Sequence, residues 1–244
     1  MSKWSLHYAG RANSELRIGY GTKKHSPQYA VLHTNDSYFR LSCGPQCEWG
    51  TSVVTMPIFW SGGKLHQGIK VGVEWSVSDD TLVLTSTGKY KSLHVSQTIT
   101  LLPPVCQSLV VKVEARTSGN LELDSRPGEA FKPVFLSSMR ISDLDWDCRS
   151  ALVAEETMGI PNAGFVGSTG AATGIRRFGL LGGTSRWKKN GPTIAIELDE
   201  PMTVRGWVTA SKNPNDDNVG LWAASDAVLS SWSYTIRADA GLSP

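Results

Sequence analysis

Long hydrophobic runs are missing from this chain. Its apolar stretches are strand-sized, well short of the ~20 residues that a membrane-spanning helix needs. The first residues, Met1-Ser2-Lys3-Trp4-Ser5-Leu6-His7, lack the apolar segment of a signal peptide. A cytoplasmic location is expected, or secretion if a leader has been removed. An excess of one charge is missing as well. Lysine and arginine number 24 against 22 acidic residues, a formal net charge of +2. That balance argues against nucleic acid or a membrane surface as a partner. The densest basic cluster, Arg186-Trp187-Lys188-Lys189, reads as a solvated loop.

Cysteine is scarce. Cys43, Cys47, Cys106 and Cys148 make four, too few for a disulfide scaffold. Cys43-Gly44-Pro45-Gln46-Cys47 does not have the two-residue spacing of a redox or zinc pair, and none of the histidines is grouped with the cysteines. No metal site is expected. No Gly-x-Ser-x-Gly elbow, Walker phosphate loop, dinucleotide-binding glycine pattern or His-Glu-x-x-His is present. Asn213-Pro214-Asn215-Asp216-Asp217-Asn218 is rich in oxygen ligands but out of register for an EF-hand. No cofactor is expected.

What the chain does have is alternation. Leu93, Val95 and Ile99 share one strand face, interrupted by Gln97, while His94, Ser96 and Thr98 take the other. Leu109, Val111 and Val113 oppose Lys112 and Glu114. Ile194, Ile196 and Leu198 oppose Glu197. Val71, Val73 and Trp75 oppose Glu74. Trp232, Tyr234 and Ile236 oppose Ser233, Thr235 and Arg237. One apolar face per strand is the pattern of antiparallel sheets packed on a core. Turn signals separate the runs, as at Ser78-Asp79-Asp80 and Ser118-Gly119-Asn120. The pattern predicts an all-β protein, an antiparallel β-sandwich of jelly-roll or supersandwich type, with residues 1–244 forming a single domain. One short helix is predicted near the C-terminus, where Asn218 could cap a stripe of Leu221, Ala224, Val228 and Leu229. Three loops are predicted, over 43–51, 61–68 and 157–174.

Two short resemblances bear on the fold. Ser14-Glu15-Leu16-Arg17 resembles a strand motif of jelly-roll alginate lyases, whose other motifs are absent here. The strands of 91–117 resemble those of the large β-sandwiches of sugar mutarotases and glycan-processing enzymes. That likeness carries no catalytic motif and implies a fold only.

Nine tryptophans are many for 244 residues. Trp4, Trp75 and Trp232 fall in apolar phase and are expected in the core. Trp49, Trp60 and Trp207 fall in loops or on polar faces, where large aromatics stack on sugar rings or line pockets. Phe59-Trp60-Ser61-Gly62-Gly63-Lys64-Leu65-His66-Gln67-Gly68 gathers an aromatic, a Gly-Gly turn and three polar side chains. It reads either as part of a binding site or as a hairpin with a polar tip. His94, Glu74, Lys112, Glu114, Arg205 and Trp207 all project from non-core faces, and would line one concave surface if their strands share a sheet. Asp143, Asp145 and Asp147 alternate with Leu144 and Trp146, and read as a loop turn or, on one strand face, as a cation site or catalytic acid pair.

Elimination points to a cofactor-independent acid–base enzyme of lyase, isomerase or cyclase type, acting on a small organic or sugar-like substrate. His66 and His94 are the expected proton carriers, Glu74 a base or orienting partner, and Lys64 and Arg205 charge stabilisers. Trp60, Trp207, Gln67 and Trp49 are the expected substrate contacts. The alternatives are a lectin-like carbohydrate-binding module, or a secreted glycoside hydrolase or polysaccharide lyase. A small-molecule or glycan ligand is the expected partner, and the chain is expected to be a monomer or homodimer.

Overall fold

The computed structural model describes residues 3–9, 15–21, 28–33, 38–41, 51–54, 57–67, 71–105, 108–125, 134–142, 150–153, 156–159, 167–180, 193–209 and 218–239. All the regular structure among them is β. The strands are β1 (Trp4–Ala9), β2 (Glu15–Tyr20), β3 (Gln28–His33), β4 (Tyr38–Leu41), β5 (Thr51–Val54) and β6 (Ile58–Ser61). They continue with β7 (Lys64–Gln67), β8 (Val71–Ser78), β9 (Thr81–Tyr90), β10 (Leu93–Leu101), β11 (Ser108–Ser118) and β12 (Val134–Ser142). The last are β13 (Ser150–Val153), β14 (Glu156–Gly159), β15 (Gly167–Leu180), β16 (Thr193–Thr209), β17 (Asn218–Ser225) and β18 (Ser231–Asp239). Every pairing between them is antiparallel, and the molecule is a β-sandwich.

One run of paired strands is β8–β9–β10–β11–β18–β16. The other is β1–β2–β3–β4–β5–β12–β17–β16. The long strand β16 belongs to both. Its residues from Thr193 to Leu198 pair with β18, and those from Thr203 to Thr209 pair with β17. Asp199, Glu200, Pro201 and Met202 form the corner between the two ladders. Proline has no N–H to give to a ladder and is confined to edges and bulges, so Pro201 fits that gap. The partner strand β15 is irregular at the same level, where the register shifts on both sides of Ile175 and Gly174 has a φ of 71°.

The core lies between the runs. Leu82, Leu84, Leu93, Val95, Ile99, Leu109, Val111, Val113 and Ile236 are buried from one side, and Leu16, Ile18, Val134, Leu136, Val204 and Leu221 from the other. Gln97, the polar residue in the apolar phase of β10, is buried beside its cross-strand partner Ser86, which is also buried. Trp4 and Trp232 are in the core as expected, whereas Trp75 is 50% exposed. Trp75 has core phase, but β8 is paired only through β9 among the described residues, and its ring is half covered.

Three further expectations are corrected. The described part of the loop read over 61–68 is strand except at Gly62 and Gly63, as the ends of the β6–β7 hairpin. The residues read as a C-terminal helix begin with strand β17, held on both sides by β12 and β16, and 226–230 form a bend. Ladder bonds to two neighbours outweigh a weak helical stripe. In the stretch 157–174, read as a loop for its glycine and alanine, the described residues are strand: 157–159 belong to β14 and 167–174 to β15. Cross-strand pairing overrides the low strand propensity of these residues. Cys43, Cys47, Cys106, Cys148, Trp49, Asp143, Asp145, Asp147 and the segment 213–217 lie outside the described residues. No helix among the described residues is long and apolar enough to cross a membrane.

Candidate functional site

The non-core face of the β8–β9–β10–β11–β18–β16 run is polar because strand residues alternate faces. Register sets its rows. Glu74, Thr85, Thr98, Glu114 and Ser233 are successive cross-strand partners. The next row is Thr87, Ser96, Arg116 and Ser231, and the one beyond it is Lys89, His94 and Ser118.

A depression of about 1000 Å³ opens on this face against the β16 corner. Its floor is made by Thr85, Ser96, Thr98, Glu114, Arg116, Ser231 and Ser233. Its wall is the corner itself, Asp199 to Thr203, with Ser225, Asp226 and Leu229 from the bend between β17 and β18. That bend is tied to β11: Thr117 donates its hydroxyl to the Leu229 carbonyl and its N–H to the Ser230 carbonyl. The Ser233 hydroxyl donates a hydrogen bond to the Asp199 carboxylate. Glu114 lies directly across from Ser233 on the opposite side. The result is a carboxylate–hydroxyl–carboxylate row, with Arg116 two residues along β11 on the same face. Lower on the face, Glu197 holds Arg237 at 3.1 Å and Arg177 at 3.9 Å, an exposed network that braces β15, β16 and β18.

Of the residues singled out from sequence, Glu74 and His94 share this face. Glu74 stands across from Thr85 at one margin, and His94 precedes Ser96 by two residues at another. His66, Lys64 and Trp60 are elsewhere, on the β6–β7 hairpin. There Gly62 and Gly63, with φ of 60° and 71°, form the tight turn that the sequence suggested. The hairpin docks through Asp124, whose N–H donates to the Trp60 carbonyl at 2.9 Å and whose carboxylate accepts from Gly63 N–H at 2.7 Å. Trp60 is half-buried, and its indole N–H is buried with no partner among the described residues.

His66 Nε2 lies 3.0 Å from the Ser61 carbonyl and 2.8 Å from the Tyr90 hydroxyl. A carbonyl only accepts, so in the bond to Ser61 the ring nitrogen Nε2 is the donor. The ring stacks on Phe59 at 5.3 Å and tilts against Tyr90 at 4.1 Å. Tyr90 is the cross-strand partner of buried Leu93 and leans to the core side. His94, one residue on, projects from the other face. The two histidines therefore stand on opposite sides of the β9–β10 hairpin. Gln67 pairs with Ile58, Arg205 with Ala171 and Trp222, and Trp207 with Ser168 and Gly220.

Sequence reading placed Glu114 on the polar face but missed Asp199, Asp226 and Ser233 as neighbours. One signal was available: Asp199-Glu200-Pro201 closes an alternating run with two carboxylates and a proline, which marks a strand corner.

No family model matches the chain, and no curated protein matches it. Among solved structures it is similar to a putative aldose 1-epimerase from Escherichia coli K12, at 10% identity and a TM-score of 0.44, over 97% of this chain and 98% of that one. It is also similar to a galactose mutarotase related enzyme from Lactobacillus acidophilus, at 8% identity and a TM-score of 0.42, over 98% and 100% of the two chains. A third is a protein from Synechocystis sp. PCC 6803, at 11% identity and a TM-score of 0.43, over 98% and 96%.

Proposed function

We propose that this protein is a cofactor-independent acid–base enzyme of isomerase type, acting on a small sugar-like substrate held in the depression at the β16 corner. The observation that carries the proposal is the row Glu114–Ser233–Asp199 on its floor and wall. Two carboxylates flank one hydroxyl along the open floor and wall of the depression, with further hydroxyls beside them. A polyhydroxyl ring matches such a lining, because each of its O–H groups needs both donors and acceptors.

The chemistry is a proton transfer that leaves the redox state of the substrate unchanged. One carboxylate takes a proton from a substrate hydroxyl or an acidic carbon. A proton returns at another substrate atom, from the second carboxyl or from solvent; the first carboxyl then releases its proton to solvent, and the second, where it was the donor, takes one back. Arg116 stabilises negative charge that develops on substrate oxygen. Ser233, donating to Asp199, fixes the orientation of that carboxylate. Glu74 and His94 stand at the margins of the same face as further proton-carrying groups.

A lectin-like role is less well supported. Among the described lining residues the one large aromatic is Trp232, which is 5% exposed and packed in the core. It offers no open stacking platform.

The test is NMR of freshly dissolved reducing sugars in D₂O with and without the protein, following anomer interconversion and deuterium uptake at carbon. The expected result is catalysis with at least one sugar, falling about 100-fold or more in Glu114→Gln, the usual range for a lost general acid or base. Wild-type rates equal to the buffer rate for the whole panel would overturn the proposal.

A further inference from the structure

The depression is longer than its reacting end needs. Thr85, Thr98, Glu114 and Ser233 are consecutive partners across four strands, a span of roughly 14 Å at the usual inter-strand spacing. Asp199, bonded to Ser233, extends it by a further strand. The volume of about 1000 Å³ is at the upper end for small-molecule sites, which run to roughly 300–1,000 Å³. More than one sugar ring fits along such a floor.

The chemistry is divided along that length. The β11–β18–β16 end carries the ionisable groups Glu114, Arg116 and Asp199. The β9–β10 end presents neutral hydroxyls from Thr85, Ser96 and Thr98. Neutral hydroxyls on a strand face move no protons, but they donate to and accept from a polyol. Resting on the function proposed above, we infer that the β9–β10 end is a second sugar subsite. The substrate class is then a di- or oligosaccharide. Its reacting unit lies over Glu114 and Ser233, and its neighbouring unit lies over Thr85 and Thr98.

The test is isothermal titration of the protein with glucose, galactose and mannose, and with cellobiose, maltose and lactose. The expected result is at least one disaccharide binding about tenfold or more tighter than its own monosaccharide units, the worth of one or two added hydrogen bonds. The double variant Thr85→Val, Thr98→Val is expected to lower that ratio about tenfold, and its folding is checked by circular dichroism. Monosaccharides binding as tightly as every disaccharide would overturn the second subsite and leave the enzyme proposal standing. So would a ratio that the double variant, or Thr98→Val alone if the double variant misfolds, does not change. A wild-type protein that binds none of the six sugars would overturn both.

Discussion

Single residues do much of the fastening in this sandwich. Asp80 sits at a hairpin tip with φ of 61°, beside Asp79 at 47°. Such left-handed backbone is costly for residues other than glycine, and Asp80 offsets the cost with long-range bonds. Its carboxylate accepts from Lys3 N–H at 3.0 Å and from the Tyr20 hydroxyl at 2.6 Å, while its carbonyl accepts from the Trp4 indole at 2.6 Å. These bonds tie the β8–β9 tip to β1 and β2. Asp80→Ala is expected to destabilise the protein by about 2 kcal/mol, since bonds to a charged acceptor are each worth roughly 1.5–3 kcal/mol. Urea denaturation measures it, and a change within error would refute the fastening role. The acidic pair was legible in sequence as a turn, but its partners, more than fifty residues away, were not.

Two glycines make a sharper contrast. A Cβ on Gly119, at φ 90°, would lie 1.9 Å from the Ser92 carbonyl oxygen, whereas a Cβ on Gly62, at φ 60°, meets nothing within 4 Å. Gly62→Ala should cost about 1 kcal/mol for backbone strain alone. Gly119→Ala should cost more, about 2 kcal/mol or above, because backbone must move as well. Equal denaturation midpoints for the two variants would contradict this difference.

At the scale of elements, alternation was readable wherever a strand has one buried and one open face. Strands β10, β11 and β18 follow the sequence pattern residue by residue, Gln97 included. The pattern failed where both faces are covered or the composition is small. In β17, Leu221 and Ala223 face the main core, while Ala224 packs with Ile58 and beside Trp222 on the other side. Burial on both faces removes the alternation that separates strand from helix. In β15 the glycines and alanines read as loop, because only pairing along β16 makes them strand. The corner of β16 is the element that walls the candidate site. Gly174 has left-handed backbone opposite it, with open space at its Cβ position. Gly174→Val should therefore cost about 1–2 kcal/mol through φ strain in a β-branched residue. It should also weaken sugar binding by shifting the wall. Wild-type stability with unaltered binding would show that the corner does not depend on this residue.

Over the whole molecule, the sandwich class was legible because periodicity is local, but the grouping of the candidate site was not, because it is assembled by register. Glu74, His94 and Glu114 were each assigned to a polar face from their own strands. Which of them share a row depends on pairing β8 through β18, and no single strand encodes that. The β6–β7 hairpin attracted attention for the density of its functional groups. In the fold, His66 is held among Ser61, Phe59 and Tyr90 on the core side, away from the face that carries His94. Asp199 and Ser233 meet only because β16 and β18 are neighbours.

The most direct test is a crystal structure of the protein soaked or co-crystallised with a reducing sugar that it converts. The account predicts sugar density over Ser233, with one ring oxygen or hydroxyl within hydrogen-bond distance of Glu114 and another near Asp199. Density instead at the β6–β7 hairpin, against Trp60 and His66, with the β16 corner empty, would contradict it.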